Sequence, residues 1–305
     1  MSSRNSSGIL PVEKGAGVTS FHVVGHLRRV LGVSRIGHGG TLDPEATGVL
    51  PILIGEATKL TPYLVDLDKE YVATVRLGVV TDTQDLSGAV RETRPVPEID
   101  AAAIEAALAR FVGVIFQVPP MYSALRRGGK RLYQLARDGL TVEREPRPVT
   151  VHAITLESVA LPSFTMRVRC GKGTYVRTLA ADLGEAFGCG GALERLVRTR
   201  VGPYRLESSA PWSEIQESRD GASLWARLLP PDSALGALPA VHLESGSTRP
   251  YVNGQTVACP PGPIGLVRVY GPGAELLGIG ACRGGAVKPE RILHADSSRP
   301  RVLPA

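Results

Sequence analysis

Cysteine is scarce in this chain. The four present, Cys170, Cys189, Cys259 and Cys282, are widely spaced and form no Cys-x-x-Cys pair. That spacing argues against a metal knuckle or a disulfide framework and leaves reduced thiols as the expectation. The six histidines include no His-x-x-x-His pairing with an acid between them, so no metal site is expected. No run approaches the roughly 18 apolar residues of a membrane span. The start, Met1-Ser2-Ser3-Arg4-Asn5-Ser6-Ser7, lacks an apolar signal core. Residues 1–7 are expected to be a polar, disordered tail, and the protein to be cytoplasmic with no membrane partner. Acidic residues are also in deficit, 29 against 35 basic, for a net charge of +6. The excess is mostly arginine, whose planar fork suits phosphate, so the partner is expected to be acidic: nucleic acid, with a membrane surface as the rival.

What is present fills one large or two ordinary domains, since 305 residues can bury a sizeable core. Thr19-Ser20 precede apolar positions Val23, Val24, Leu27, Val30 and Leu31, and Gly32 follows, which predicts a capped amphipathic helix. Tyr71, Ala73, Val75 and Leu77 alternate with polar or mixed positions, as do Met166, Val168 and Cys170; both stretches predict half-buried strands. Asp100 should cap a helix whose apolar face is Ile104, Ala107, Leu108 and Phe111, and another helix should run from about 178 to 187 before the glycine-rich break at 188–191. Strands and helices without regular β-α alternation predict an α+β fold with antiparallel pairing.

Two segments differ from the rest. Between Met121 and Pro148 stand Arg126, Arg127, Lys130, Arg131, Arg137, Arg144 and Arg147, against Asp138, Glu143 and Glu145. Such a run is either a solvated charged face or a clamp that orders on phosphate backbone. Near Pro230-Pro231 glycine and proline rise and helical patterning fades. Residues 264–270 read as a strand, 271–273 as a turn and 276–280 as the partner strand, with 288–293 closing a small β unit.

The most informative stretch is Gly37-His38-Gly39-Gly40-Thr41-Leu42-Asp43-Pro44-Glu45-Ala46-Thr47-Gly48-Val49-Leu50-Pro51. Pro44 disfavours the α region for Asp43 and holds it in an extended or turn conformation. Gly39 and Gly40 let backbone or a ligand come close. On Asp43-Pro44 alone, a helix cap or an Asx-turn is the ordinary reading.

The neighbours change that reading. The stretch resembles the catalytic-aspartate motif of pseudouridine synthases, specifically the bacterial tRNA pseudouridine-55 synthase (TruB) family. Further blocks follow in the family's order: Gly55-Glu56-Ala57-Thr58-Lys59, Lys69-Glu70-Tyr71, Leu77-Gly78, Thr81-Asp82-Thr83-Gln84-Asp85, Gln117-Val118-Pro119-Pro120-Met121-Tyr122-Ser123-Ala124 and Cys170-Gly171-Lys172-Gly173-Thr174-Tyr175-Val176-Arg177. Several ordered motifs carry far more weight than one short pattern. The resemblance implies a mixed, mainly antiparallel sheet with helices as the catalytic domain, over residues 8–232. It makes the insertion at about 121–148 an RNA-pinching clamp. Residues 238–300 look like a PUA-type RNA-binding β-barrel.

The resemblance also implies the reaction: uridine at position 55 in the TΨC loop of tRNA becomes pseudouridine. That isomerisation breaks the N1–C1′ bond, turns the uracil and joins C5 to C1′. No electron is gained or lost, so no cofactor is expected. One ionised carboxylate is needed, to attack sugar or base, to remove the C2′ proton, or to stabilise an oxocarbenium-like centre. Asp43 is the candidate, and all three routes stay open. Arg177 is expected to pair with it and keep it ionised. Tyr71 matches the position that stacks on the extruded uracil, Leu196 an apolar wall of its pocket, and His38 a group that fills the vacated place or touches the RNA. Lys14, Arg126, Arg127 and Lys130 complete the expected substrate-binding set. Three positions depart from the family pattern: Gly15 replaces a proline, Ala192 a histidine, and Val197 a second arginine. They bear on RNA contacts more than on reaction type. The partner is expected to be the TΨC stem-loop of tRNA, bound by a monomer. The rival reading is an RNA-binding tRNA-folding chaperone with little turnover; a guide-RNA-dependent relative is a third.

Overall fold

The computed structural model describes residues 7–123, 125–218, 221–260 and 262–293. Residues 1–6 of the expected tail, and 294–300 of the expected C-terminal domain, lie outside them. Ser7 accepts a hydrogen bond from the Glu56 amide at 2.9 Å. By contacts the chain divides into two compact units. One comprises residues 1–43, 49–65 and 202–305; the other comprises 44–48 and 66–201.

The second unit is an antiparallel sheet backed by helices. Its strands lie in the order Gly191–Val201, Lys69–Leu77, Ser163–Cys170, Arg147–Ala160 and Gly113–Gln117, each antiparallel to its neighbour. Thr47 and Gly48 add a parallel pairing on Val197 and Arg198. The predicted alternation holds: Ala73, Val75 and Leu77, and likewise Phe164, Met166, Val168 and Cys170, are buried. Asp100 caps the helix Ala101–Ala109 by accepting from the Ala103 amide at 2.8 Å. Ile104, Ala107 and Leu108 of that helix are buried, while Phe111 falls beyond its end. The other predicted helix begins earlier than expected, at Val176, and ends at Ala186, so Arg177 lies on its first turn. The insertion holds a two-residue hairpin, Arg126–Arg127 with Lys130–Arg131, and a helix Leu132–Arg137. The long strand Arg147–Ala160 already includes the insertion's expected last two residues.

In the first unit the strand Gly8–Lys14 lies between the parallel pair Ala210–Pro211 and the strand Thr47–Ile54, onto which Ile36–His38 folds antiparallel. The predicted helix is present as Ser20–Leu31. The Thr19 hydroxyl accepts from His22 N at its start, and Gly32 turns the chain at φ 64° at its end. Val23, Val24 and Leu27 are its buried stripe, and the His22 and His26 rings pack edge-on against Trp212. Toward the C-terminus lies a five-stranded β unit, ordered Ala240–His242, Gly265–Tyr270, Leu276–Arg283, Ala286–Ile292 and Val257–Ala258. Val241, Val267, Val269, Leu277 and Val287 fill its core, giving the PUA-like module expected. The helix Ser245–Val252 was not expected there. Its sequence is Ser, Gly, Thr, Arg and Pro in place of a periodic apolar stripe, and only Tyr251 is buried.

The whole is α+β with mainly antiparallel sheets. Among the described residues no helix is long and apolar enough to cross a membrane.

Candidate active site

The Asp43 loop, as far as Asp43 itself, belongs to the first unit. His38 pairs with Ile52 across the two strands, and the Gly39 amide donates to Pro51 O at 2.9 Å. A side chain at Gly39 would place its Cβ 2.9 Å from Leu64 Cδ2, so the turn admits only glycine without repacking. The Gly40 amide donates to His38 Nδ1 at 3.3 Å, which sets the ring and leaves the proton of neutral imidazole on Nε2. Next, Leu42 is held at both of its backbone polar groups by the Ser20 hydroxyl. Its amide donates to Oγ at 2.9 Å, and Oγ donates to its carbonyl at 3.0 Å. Asp43 follows, half-buried, and then exposed Pro44 and Glu45. Proline after it and a pinned residue before it leave Asp43 little backbone freedom.

Lys14 ends the first strand with no exposure at all. Its ammonium donates to Gly15 O and Val18 O, each at 2.8 Å, and so fixes the turn leading to Thr19 and Ser20. Gly15, where the family pattern has proline, lies against Trp212: a Cβ there would be 3.2 Å from Trp212 Cδ1.

In the second unit, Tyr71 stands in register with Val168 on one side and Arg198 on the other, and Ala73 with Leu196. Register partners share a sheet face, as do residues two apart. Tyr71, Leu196 and Arg198 therefore occupy one face; Tyr71 is half-buried, Leu196 buried and Arg198 almost fully buried. The backbone of Gly48 approaches this strand so closely that a Cβ would sit 2.2 Å from Arg198 O. Lys69, two residues before Tyr71, is buried, its ammonium donating to Leu67 O at 2.5 Å. Burial, reinforced by the charge of Arg198, lowers its pKa to about 8. Ala192 is fully buried on the same strand, and Val197 is half-buried opposite Val72.

Arg177 is gathered into a network. The buried Gln117 amide brackets Tyr175, donating to its carbonyl at 3.2 Å and accepting from its amide at 2.9 Å, which fixes where the helix begins. From that first turn Arg177 Nη1 donates to Thr83 O at 3.1 Å and to Asp85 Oδ2 at 3.4 Å, and Nη2 donates to Tyr122 O at 2.8 Å. The carboxylate on Arg177 within this unit is thus Asp85. Asp85 is itself oriented, its Oδ1 accepting from Thr83 Oγ1 at 2.8 Å and Ser87 N at 3.0 Å. Gln84, at φ 65°, accepts from Thr178 Oγ1 at 2.9 Å. Residues 81–85 form one of the blocks shared with the family, but the sequence assigns Asp85 no role. Its partner Arg177 lies 92 residues away, a separation no local pattern exposes. Ser20 and Arg198 escape sequence reading for the same reason.

Lys130 is exposed, and the Arg126 and Arg127 backbones form the hairpin's other strand. The hairpin is tied at its base by Leu132 N to Leu125 O at 2.8 Å and Tyr133 N to Ser123 O at 3.1 Å. Among the described residues no group of three or more His, Cys, Asp or Glu is placed to hold a metal ion.

This architecture has known counterparts. A chain of a solved Cbf5-Nop10-Gar1 complex superposes with a TM-score of 0.74 at 25% identity, covering 97% of this chain and 87% of that one. A family model described as TruB family pseudouridylate synthase (N terminal domain) matches residues 28–176, which defines the class: a pseudouridylate synthase. Residues 177–236 match the tRNA pseudouridylate synthase B C-terminal domain, and 239–293 the C-terminal model of pseudouridine synthase II TruB. The tRNA pseudouridine synthase B of Aromatoleum aromaticum is 47% identical over 291 residues, 94% of this chain and 92% of that protein. That of Burkholderia pseudomallei is 47% identical over 304 residues, 96% and 99%. The chain belongs to the TruB family.

Proposed function

We propose that this member of the family is an isomerase that converts uridine to pseudouridine in tRNA, at position 55 of the TΨC loop, with Asp43 as its catalytic carboxylate. The observation that supports the assignment most is the Asp43 loop: one half-buried acid, with Leu42 pinned before it and proline behind it, in a chain 47% identical to curated tRNA pseudouridine synthases over nearly its whole length. A folding chaperone with little turnover is not favoured, because binding alone makes no demand for a carboxylate held this way.

In this reading the uridine leaves the stack and meets Tyr71 and Leu196, whose common sheet face offers an aromatic surface and an apolar wall. Asp43 acts at the sugar-base junction while the base turns. Arg177 supplies the cation that keeps the reacting carboxylate ionised, held by carbonyls and Asp85 so that it does not have to be organised during the reaction. His38 and the basic hairpin, with Arg126, Arg127 and Lys130, take the RNA backbone; Lys14 acts through the turn it holds. The residues from 238 onward add phosphate contacts that position the tRNA without reading its sequence. One chain acts as a monomer, in the cytoplasm.

The test is to incubate the purified protein with unmodified tRNA and map pseudouridine. One modified site at position 55 is expected, and none in a transcript with cytidine there. Product elsewhere would overturn the position, and binding without product would overturn the activity.

A further inference from the structure

Resting on the proposal that Asp43 is the catalytic carboxylate, we infer that the Ser20 hydroxyl is its positioning residue, setting the peptide plane from which Asp43 hangs. Ser20 opens the helix Ser20–Leu31, yet the capping work there is done by its neighbour: Thr19 Oγ1 accepts from His22 N at 3.0 Å. The Ser20 hydroxyl is therefore spare for the helix. It is spent on Leu42, 22 residues away, where Oγ accepts from the amide at 2.9 Å and donates to the carbonyl at 3.0 Å.

The consequence for Asp43 is geometric. The Leu42 carbonyl and the Asp43 amide share one rigid peptide plane. Fixing that carbonyl fixes where the Asp43 Cα begins, and Pro44 restricts the other side. The anchor is stiff, because Ser20 is buried with 2% exposure and its helix is seated by Val23, Val24 and Leu27. The Leu42 side chain is buried too, so the hydroxyl does not create the loop; it removes the remaining rotation of one plane. A misplacement of about 1 Å in a reacting group costs on the order of a hundredfold in rate. Substrate binding, spread over many phosphate contacts, should scarcely register it.

The experiment compares Ser20→Ala, Thr19→Ala and Asp43→Asn in the full chain on unmodified tRNA. The readouts are single-turnover rate at saturation, tRNA Kd, and thermal midpoint, with rates taken well below melting. Ser20→Ala is expected to lower the rate about ten- to a hundredfold with Kd unchanged within about threefold. Thr19→Ala weakens the same helix but spares the bonds to Leu42, so it should lower the midpoint and keep the rate within about twofold. If Ser20→Ala does not fold, Ser20→Cys, which keeps the shape of the side chain but puts a larger, weakly hydrogen-bonding sulfur in place of the oxygen, must show the same loss of rate at the same affinity. Equal rates in the parent and the Ser20 variant, or equal losses in the Ser20 and Thr19 variants, overturn the inference. Where Asp43→Asn is inactive at the same time, only the role of Ser20 falls. An active Asp43→Asn would refute the assignment of the carboxylate, and the inference with it.

Discussion

Asp85 shows how much one side chain can organise. It touches the guanidinium of Arg177 and receives the hydroxyl of Thr83 and the amide of Ser87. Asp85→Asn should therefore lower stability by about 1–3 kcal/mol, the cost of leaving charged and polar groups incompletely paired. Urea unfolding checks this, and an unchanged midpoint would mean that the fold does not depend on the pairing of Arg177 with Asp85. Lys69 offers a test by pH. Its folded pKa, lowered to about 8 by burial and Arg198, lies below the ordinary lysine value, so above pH 8 the unfolded chain holds the proton more often. Stability contributed by this group therefore rises with pH from about 8 toward the ordinary lysine range. Burial pushes the Cys170 thiol the other way, up to about 11, and stability from it falls as pH rises through that range. The stability of the parent relative to Lys69→Met isolates the lysine. That difference should move in the parent's favour between pH 7 and pH 9, and a flat difference would show the lysine is not desolvated.

Among the elements, the strand Gly191–Val201 is closely approached by a neighbour's backbone. Gly48 has φ 105° and space for no Cβ against Arg198 O. Gly48→Ala should cost about 2 kcal/mol or more through strain and displacement of that strand; a variant as stable as the parent would contradict the close approach. The basic hairpin is tested by charge. Reversing Arg126, Arg127 and Lys130 together should weaken tRNA binding and flatten its dependence on salt, since each lost phosphate contact reduces counterion release by about one ion. Unchanged affinity and salt slope would make the segment a solvated face. Elements were largely legible from the sequence where a local rule governs them. Thr19 and Gly32 bound a helix with a clean apolar stripe, and the 69–77 and 163–170 strands alternate as their buried residues require. Ser245–Val252 was not legible, because a short helix with Pro250 and one buried residue carries no periodic signal. The site was half legible. The loop around Asp43 announces itself through glycine and proline, whereas the bonds from Ser20 to Leu42 and from Arg177 to Asp85 join residues far apart in the chain.

For the molecule as a whole, the net charge of +6 favours an acidic partner without choosing one. The C-terminal β unit is tied in by specific bonds. Tyr270 donates to Asp232 at 2.6 Å, Arg268 Nε to Leu238 O at 2.9 Å, and Lys59 to Ile292 O at 2.8 Å. Ending the chain before Ala240 should raise the apparent KM for full-length tRNA and lower the thermal midpoint, leaving the saturated single-turnover rate nearly intact, the pattern of lost uniform binding. A folded truncate that loses the saturated rate would place support for the chemistry in this unit.

The central claim is that one carboxylate carries the reaction, and Asp43→Asn tests it most directly because it keeps the shape of the side chain and removes its charge. With unmodified tRNA at saturation, the account predicts a Kd like the parent's and a single-turnover rate lower by orders of magnitude. A rate within about tenfold of the parent's, at the same affinity, would contradict it, since a loss so small amounts to only about 1.4 kcal/mol of transition-state stabilisation.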